Sequence, residues 1–353
     1  MPIPRVLGVA QAFKETFSAR EVAEVLARAA RAAGAEAQVL VASDGGDGFL
    51  ESVGASRWDH VTVTGPLDAR ITAPIAWLDD RTAVVESRLV FGLSLIPQEL
   101  RSPLRGTTRG LGELIDAATA KGASLIYVGL GGSGTMDGGV GMARVWGFEP
   151  RDASGRPLAE GGLALLDLAT VDRGRELPVE LVGLADVENR LFGPGGARVF
   201  AAQKGATAAE EELLDRGLER LARVVNRLDL ADRPGAGAAG GVGFGLMCFG
   251  GGVVRPGAPW VLERLGFPAA LARASLVVAG EGSYDATSSR GKLVGEVMRG
   301  ARRAGLPVLL LAPRAVDPPV DVVVETGGGH WDAGELERRA ERGIRRALSL
   351  PDG

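Results

Sequence analysis

The sequence has one cysteine, Cys248, and two histidines, His60 and His330, among its 353 residues. So few thiol and imidazole groups exclude intrachain disulfides, cysteine-cluster zinc sites and iron-sulfur centres. No segment approaches the roughly 18 consecutive apolar residues that a membrane-spanning helix needs. The N-terminal stretch MPIPRVLGVAQAFKE has too short an apolar run for a signal peptide. We therefore expect a cytoplasmic protein.

The charge of the chain is nearly balanced. Lysine and arginine total 40 and aspartate and glutamate total 44, which gives a formal net charge of −4 without a block of like charge. This balance argues against a surface for nucleic acid or for an anionic membrane, so we expect small-molecule partners. With 46% apolar residues the chain can bury a sizeable core, and its length favours two domains.

Lysine is scarce, because only Lys14, Lys121, Lys204 and Lys292 stand beside 36 arginines. A genome that favours arginine codons accounts for most of this bias, but a site that needs a compact ammonium would be among the last to lose lysine. Lys121 ends a predicted helix, where a cation complements the helix dipole. The other three lie in or beside loops that end strands or contain glycine, close in sequence to acidic residues. This arrangement suits anionic substrates.

Both ends of the chain predict units in which strands alternate with helices. The first is the strand RVLGVA, a helix that Ser18 and Glu21 cap, and the strand AQVLVA. The second contains SLVVAG, a helix near 291–304, the strands PVLLLA and VDVVVE, and a last helix that Asp332 caps. Short apolar strands that alternate with helices indicate a parallel sheet covered on both faces.

The middle of the chain is richer in glycine and is predicted to form a second α/β domain. Its predicted helices lie near 107–121 and 207–227, and its predicted strands are VTVTG, ITAPIAWL, TAVVES, SLIYVGL and VELVGLAD. The segment PGAGAAGGVGFG at 234–245 is either a flexible linker or a place where backbone packs tightly against backbone or a ligand.

Five loops share one pattern, in which an apolar strand runs into a segment with an acid or a lysine, usually among glycines. They are AFK at 12–14, SDGGDG at 43–48, GLGGSGTMDGG at 129–139, ADVEN at 185–189 and GEGSYD at 280–285. In a parallel sheet such loops lie at the carboxyl ends of the strands, where binding crevices form and bare amides favour anions. Any one of them alone is also compatible with a structural turn, and a single Asp-Gly turn favours that interpretation.

The sequence does not meet the requirements of two common nucleotide-binding motifs, the dinucleotide-binding loop and the Walker A loop. GLGGSG at 129–134 has dinucleotide spacing, but Asp137 and two glycines interrupt the expected helix, and Glu149 does not end a strand. A Walker A loop is missing, because Gly291-Lys292 precedes Leu293 rather than serine or threonine. An ATP site in this chain would need a different phosphate-binding loop.

Taken in order, the motifs resemble those of the type I glycerate kinases, which phosphorylate D-glycerate from ATP. The resemblance extends over nearly the whole chain. It is carried by FK at 13–14, SA-x-EVA at 18–23, DGG at 44–46, GPL at 65–67, TT at 107–108, GELI at 112–115, GGSGTMDGG at 131–139, NRLFGPGGA at 189–197, QKGA at 203–206, GAGAAGG at 235–241, GEGSYD at 280–285 and GK at 291–292.

The resemblance implies a two-domain α/β fold with the active site in the cleft. One domain, with a Rossmann- or flavodoxin-like parallel sheet, would comprise residues 1–72 and 273–353, and the glycine-rich domain inserted between them residues 73–272. The implied reaction is ATP-dependent phosphorylation of D-glycerate to 2-phosphoglycerate, with Mg²⁺ bridging phosphate oxygens. The partners would be this substrate and the nucleotide, with a homodimer as one candidate assembly.

The candidate site residues come from these loops. We expect the catalytic groups to be Asp44, Asp186, Asp285 and Lys14, with Asp186 and Asp285 also as Mg²⁺ ligands. We expect substrate or phosphate contacts from Lys204, Lys292, Gly131, Gly132, Ser133, Thr135, Asp137 and Glu281, with an anion bound by the amides of 131–133. Asp137 is also a candidate ligand or base, and Glu86 is a weaker candidate.

The chain departs from the family pattern at several of these motifs. An opening that usually reads Asp-Ser-Phe-Lys-Gly is here Gln11, Ala12, Phe13, Lys14 and Glu15. Smaller departures follow at 43–49, at Met136 and at Thr287-Ser288. The alternative function is therefore a diverged member that lacks catalysis or has another substrate, and that binds a small hydroxy acid or a nucleotide.

Overall fold

The structure, a computed structural model, describes residues 3–13, 16–43, 48–285, 288, 292–329 and 331–350. The chain divides into two compact units, unit 1 with Met1–Val53 and Ala258–Gly353, and unit 2 with Gly54–Gly257. Unit 1 is thus built from both ends of the chain and unit 2 from the segment between them. Among the described residues no helix is both long and apolar enough to cross a membrane.

The strands and helices follow one another along both units. The strands are β1 (Arg5–Ala10), β2 (Glu36–Val41), β3 (Arg57–Thr64), β4 (Arg70–Trp77), β5 (Thr82–Glu86), β6 (Leu125–Leu130), β7 (Pro150–Arg151), β8 (Thr170–Val171), β9 (Glu180–Ala185), β10 (Val253–Pro256), β11 (Leu276–Gly280), β12 (Ser283–Tyr284), β13 (Val308–Leu311), β14 (Arg314–Ala315) and β15 (Val323–Glu325). The helices are α1 (Ala19–Ala32), α2 (Phe49–Ser52), α3 (Arg88–Phe91), α4 (Arg109–Ala120), α5 (Val140–Val145), α6 (Ala208–Val224), α7 (Leu228–Ala231), α8 (Ala238–Phe249), α9 (Gly257–Arg264), α10 (Phe267–Leu271), α11 (Leu293–Arg303) and α12 (Ala333–Ala347).

The main sheet of unit 1, as far as it is described, has five parallel strands in the order β15-β13-β11-β1-β2. The chain moves outward from β1 to β2 in one direction and from β11 to β15 in the other. Strand order therefore reverses between β1 and β11, and a doubly wound sheet forms its binding crevice at such a switch point. The predicted parallel α/β architecture is confirmed for this unit.

Both faces of this sheet are buried. Along β11, Leu276 and Val278 pack with helices α1 and α12 in one hydrophobic cluster. Val277 and Ala279 alternate with them, point to the opposite face and are also buried. Continuous apolar strands are the expected sequence signature of a sheet covered on both sides.

The main sheet of unit 2 is mixed and has the order β10-β9-β6-β5-β4-β3 in the described residues. Strands β5, β6, β9 and β10 are parallel, whereas β3 and β4 add an antiparallel hairpin at one edge. Because β5, β6 and β9 are neighbours and run in the same direction, the loops that follow them lie side by side at one edge of the sheet. This edge carries several of the candidate residues.

The boundaries between the units differ from those expected near residues 72 and 272. Strand β3 pairs along its full length with β4, from Arg57 opposite Trp77 to Thr64 opposite Arg70, so these residues belong to unit 2. Helix α9 belongs to unit 1 from Ala258 onward, and its Arg264 Nε donates to Val53 O of the same unit at 3.0 Å. The structure therefore places both boundaries earlier in the chain.

Helix α6 begins with a capping box that follows directly after the segment containing Lys204. Thr207 Oγ1 accepts from Glu210 N at 3.4 Å, and Glu210 Oε2 accepts from Thr207 N at 2.7 Å. These contacts satisfy two of the amides that a helix start otherwise leaves without intrahelical partners.

We expect Thr207→Ala to lower the free energy of unfolding by about 1 kcal/mol, because alanine cannot accept the hydrogen bond from residue 210. Urea unfolding followed by circular dichroism measures the change. Thr207→Ser keeps the hydroxyl and should retain most of the stability. Equal losses in the two variants would show that the cap hydrogen bond does not cause the effect.

Candidate functional site

The switch point of unit 1 lies where β1 and β11 end. Gln11 follows β1, and its side-chain Nε2 donates to Gly280 O, the last residue of β11, at 3.1 Å. Glu281 comes next after β11 and is partly buried. The ends of the two central strands are thus joined by an amide side chain at the position where a doubly wound sheet places its ligand.

The remaining candidates of unit 1 lie in the loop after β11 and at the start of α11. Asp285 is half-buried and closes a turn, in which its Oδ1 accepts from Ser288 N at 3.3 Å and its N–H donates to Ser288 Oγ at 3.2 Å. Lys292 is the N-cap residue of α11. Lys14 and Asp44 lie outside the described residues.

In unit 2 the candidates follow three neighbouring strands. Glu86 ends β5 and is almost completely buried, the segment 131–139 follows β6, and the half-buried Asp186 follows β9. Residues Glu86 and Gly129 are register partners, as are Leu130 and Ala185. The sheet therefore places these predicted groups at one edge, as their positions after apolar strands suggested.

The segment 131–139, which we call the glycine loop, meets solvent only near its start. Gly132 is exposed and Gly131 half-buried, whereas Ser133 to Gly139 are buried. Gly132 has φ +60°, and a Cβ there would lie 2.9 Å from Arg88 Cδ, so this turn needs glycine. The loop is held against α3, since Gly134 N donates to Phe91 O at 2.8 Å.

Asp137 is the anchor at the other end of the glycine loop. Its Oδ2 accepts from Thr108 N at 3.0 Å, Thr108 Oγ1 at 2.9 Å and Gly141 N at 3.1 Å, and its Oδ1 accepts from Gly139 N at 3.0 Å. The carboxylate thus joins the starts of α4 and α5, whose dipoles favour an anion. Burial raises the pKa of the Asp137 carboxyl, and these hydrogen bonds oppose the rise.

Lys204 is buried beneath the same loop, with a relative exposure of 2%. Its Nζ donates to Ser133 Oγ at 3.0 Å and to Thr135 O at 2.8 Å. Burial lowers the pKa of Lys204 to about 7, although the negative charge of Asp137 acts to raise it. The contacts of this ammonium are therefore with the protein, whereas the sequence suggested phosphate or substrate.

The segment 234–245 packs against the glycine loop and is not a linker. Residues 239–241, within α8, have positive φ values, and a Cβ on Gly240 would lie 1.9 Å from Thr135 O. A Cβ on Gly241 would lie 2.7 Å from Gly138 Cα, and Gly138 N donates to Gly240 O at 3.1 Å. Of the two interpretations that the sequence left open, the structure supports tight packing of backbone against backbone.

Two residues with a part in this site were not predicted from the sequence. Thr108 links Asp137 to α5, because its Oγ1 donates to the carboxylate and accepts from Met142 N at 3.0 Å. Arg88 lies over Gly132, and its Nη1 is 3.9 Å from Glu86 Oε1. The pair TT at 107–108 was named as a motif of the family, but no role was assigned to Thr108. Nothing in the local sequence distinguishes Arg88 from the many other arginines.

The described residues contain no group of three or more histidine, cysteine, aspartate or glutamate side chains placed to hold a metal ion. Mg²⁺ does not require such a group, since one or two carboxylates together with substrate phosphates and water suffice. Asp186 and Asp285 are half-buried oxygen donors of the type that Mg²⁺ accepts. Each fits the donor chemistry of a magnesium ligand.

The fold and these loops define an α/β protein with two units, each of which presents acidic, basic and glycine residues at the carboxyl ends of parallel strands. The family model described as the glycerate kinase family matches residues 6–328. The chain belongs to the glycerate kinase family, as the resemblance indicated.

Named relatives and a solved structure agree with this assignment. The chain is 37% identical to glycerate kinase of Bacillus subtilis over 87% of this chain and 84% of that protein. It is 36% identical to glycerate 2-kinase of Escherichia coli over 92% of this chain and 88% of that protein. The crystal structure of putative glycerate kinase 2 from Salmonella typhimurium LT2 matches with a TM-score of 0.79 and 36% identity, covering 98% of this chain and 97% of that one.

We expect Gly240→Ala to destabilise the protein more than Gly251→Ala, a matched control. Both glycines have left-handed φ, +71° and +65°, so each alanine costs about 1 kcal/mol in backbone strain. Only Gly240→Ala adds a clash, with Thr135 O, for which overpacking costs about 1–3 kcal/mol more; a Cβ on Gly251 meets nothing within 4 Å. Parallel urea unfolding measures the difference, and equal losses would contradict the close packing.

Proposed function

We propose that the chain transfers the γ-phosphoryl group of ATP to D-glycerate and releases ADP and 2-phosphoglycerate. The family relationship carries this proposal. The loop geometry supports it, because the half-buried carboxylate of Asp186 and the exposed turn at Gly132 follow adjacent parallel strands of unit 2. Phosphoryl transfer requires little covalent assistance from the protein, so positioning and charge neutralisation are the main tasks of such a site.

In this reaction the hydroxyl oxygen of glycerate forms a bond to the γ-phosphorus while the bond from that phosphorus to the β,γ-bridging oxygen breaks. ADP leaves, and the hydroxyl proton passes to a carboxylate. We propose Asp44, Asp186 and Asp285 as the candidates for this base, and Lys14 and Lys292 as cations that neutralise phosphate or the substrate carboxylate.

We propose the exposed turn Gly131–Gly132, with the N–H of Ser133, as the anion cradle of unit 2. Arg88 lies over this turn and adds positive charge there. Glu281, beside the switch point of unit 1, is proposed to contact substrate. Thr135 and Asp137 are buried within the protein, so we propose that they support the cradle rather than contact substrate.

Asp186 and Asp285 are the proposed Mg²⁺ ligands. When bound, the ion would supply positive charge that offsets the negative charge developing on the phosphate during transfer. The protein's own contribution is to hold each carboxylate at a strand or turn end, Asp186 after β9 and Asp285 in its turn with Ser288. A cytoplasmic location and a homodimeric assembly complete the proposal.

We expect the purified protein to form ADP from MgATP only when D-glycerate is present, and phosphorus NMR to identify the product as 2-phosphoglycerate. Formation of 3-phosphoglycerate would overturn the assignment of the hydroxyl. If ADP does not form at any D-glycerate concentration while ATP still raises the melting temperature, the non-catalytic alternative holds. Turnover of another hydroxy acid in place of glycerate would favour the diverged-substrate alternative.

We expect Asp186→Asn to lower kcat at least about 100-fold, because the amide neither accepts a proton nor holds a cation as a carboxylate does. Asp172→Asn is the matched control, since Asp172 is 48% exposed and pairs with Arg151 Nε at 2.7 Å on the surface. The control should keep wild-type kinetics. A kcat for Asp186→Asn equal to that of the control would remove Asp186 from the proposed mechanism.

A further inference from the structure

The buried amine of Lys204 makes several contacts with the glycine loop. Its Nζ lies 3.0 Å from Ser133 Oγ, 2.8 Å from Thr135 O and 3.7 Å from Met136 Sδ, which are three contacts with one loop. The relative exposure of the residue is 2%. A buried amine that makes these contacts reaches the loop from its protein side, opposite to the solvent side on which Gly132 is exposed.

The space for this amine exists because residue 240 has no side chain. A Cβ on Gly240 would lie 3.1 Å from Lys204 Nζ and 1.9 Å from Thr135 O. The amine therefore lies between the left-handed turn at 239–241 and the glycine loop, and its two hydrogen bonds fix the spacing between the residues on either side of Gly134. Burying an amine is costly unless its hydrogen bonds are satisfied, and these two contacts satisfy them.

The protonation state fits the same geometry. A neutral amine has two N–H donors, which matches the two oxygen acceptors. For the third proton of an ammonium, the remaining hydrogen-bond contact among the described residues is the sulfur of Met136, a weak acceptor. The lowered pKa of Lys204, about 7, follows from burial, and Asp137 is the charged side chain that opposes it. The two hydrogen bonds are available in both forms.

We propose that Lys204 is a positioning residue, which holds Ser133 and Thr135 so that the adjacent Gly131–Gly132 turn presents its amides to a nucleotide phosphate. This inference rests on the proposed function for the identity of the anion. Ser133 connects Lys204 to the turn, because it accepts a hydrogen bond from Lys204 and directly follows Gly132. The residues on either side of Ser133 are held by segment 91–93: Leu93 N donates to Gly132 O at 3.0 Å, and Gly134 N donates to Phe91 O at 2.8 Å. A contact from Lys204 to substrate is not part of the proposal.

A double-mutant cycle with Lys204→Met and Ser133→Ala tests this route. Methionine keeps most of the length of the side chain and removes the amine. Misplacement of the turn should lower kcat/KM for ATP about 10- to 100-fold in Lys204→Met. Because Lys204 acts through Ser133, the double variant should be no worse than Lys204→Met alone. Losses that multiply would show that Lys204 acts independently of Ser133 and would overturn the proposal, as would wild-type kinetics in Lys204→Met.

Lys121→Met is the control for loss of a lysine, since Lys121 is 44% exposed and lies 3.5 Å from Asp59 on the surface. It should leave kcat and KM unchanged. If Lys204→Met does not fold, Lys204→Gln is assayed by itself, because the amide keeps two N–H donors at shorter reach. Lys204→Gln should fold and retain more activity than any folded variant without the donors, and a complete loss of activity in a folded Lys204→Gln protein would contradict the positioning role.

A readout that does not depend on turnover separates this proposal from the kinase assignment. ATP binding by calorimetry should weaken in Lys204→Met and Ser133→Ala with the same non-additivity. If wild-type protein binds ATP but does not phosphorylate glycerate, the proposed function fails while this test still decides the role of Lys204. If wild-type protein does not bind ATP, the positioning proposal fails as well.

The pH dependence of unfolding gives a second such readout. Folded Lys204 has a pKa of about 7, and the unfolded side chain has a pKa near the ordinary lysine value of 10.5. Between these values the unfolded state binds more protons, so wild-type stability should rise with pH relative to Lys204→Met. Parallel stability curves for the two proteins from pH 7 to 10, in which both change equally, would show that Lys204 does not occupy the buried position that the proposal requires.

Discussion

The glycine loop depends on one buried carboxylate. Asp137 accepts four hydrogen bonds from the starts of α4 and α5, and so determines where the loop after β6 ends and where two helices begin. A carboxylate that lost these donors would be left charged in a low-dielectric core, which is far costlier than losing a surface contact. The other features of the site, including the amine of Lys204 and the bare backbone of Gly240, pack around the loop conformation that this carboxylate sets.

This construction divides the loop into a buried part and a part available to a ligand. The residues from Ser133 onward are buried, and the Ser133 hydroxyl and the Thr135 carbonyl contact Lys204, whereas Gly131 and Gly132 reach solvent. Phosphoryl transfer depends mainly on rigid placement of charge and of hydrogen-bond donors. Buried polar residues that never meet the substrate can therefore matter for the reaction as much as those that do, because they fix the amides that would bind phosphate.

In unit 1, one departure from the family's sequence pattern changes the hydrogen bonding at the end of β1. The opening motif of the type I glycerate kinases usually has an acid where this chain has Gln11. The Gln11 amide donates to Gly280 O, which an ionised carboxylate cannot do because it only accepts hydrogen bonds. The switch point between β1 and β11 is thus closed by a neutral contact in this chain. Because Gln11 carries no charge, this chain lacks the acid of the family pattern after β1, and Glu281 is the acidic residue that directly follows β11.

The sequence by itself determined the α/β class, the order of the elements and the loops that follow parallel strands, because hydrophobic periodicity and helix caps such as Ser18 with Glu21 are local signals. The family was also evident from its ordered motifs. Only the tertiary structure decided the roles within the loops: that Lys204 contacts Ser133 Oγ and Thr135 O, that the glycines at 240–241 contact backbone, and that β3 belongs to unit 2. These outcomes depend on burial and on hydrogen bonds between residues far apart in the chain, which no local pattern encodes.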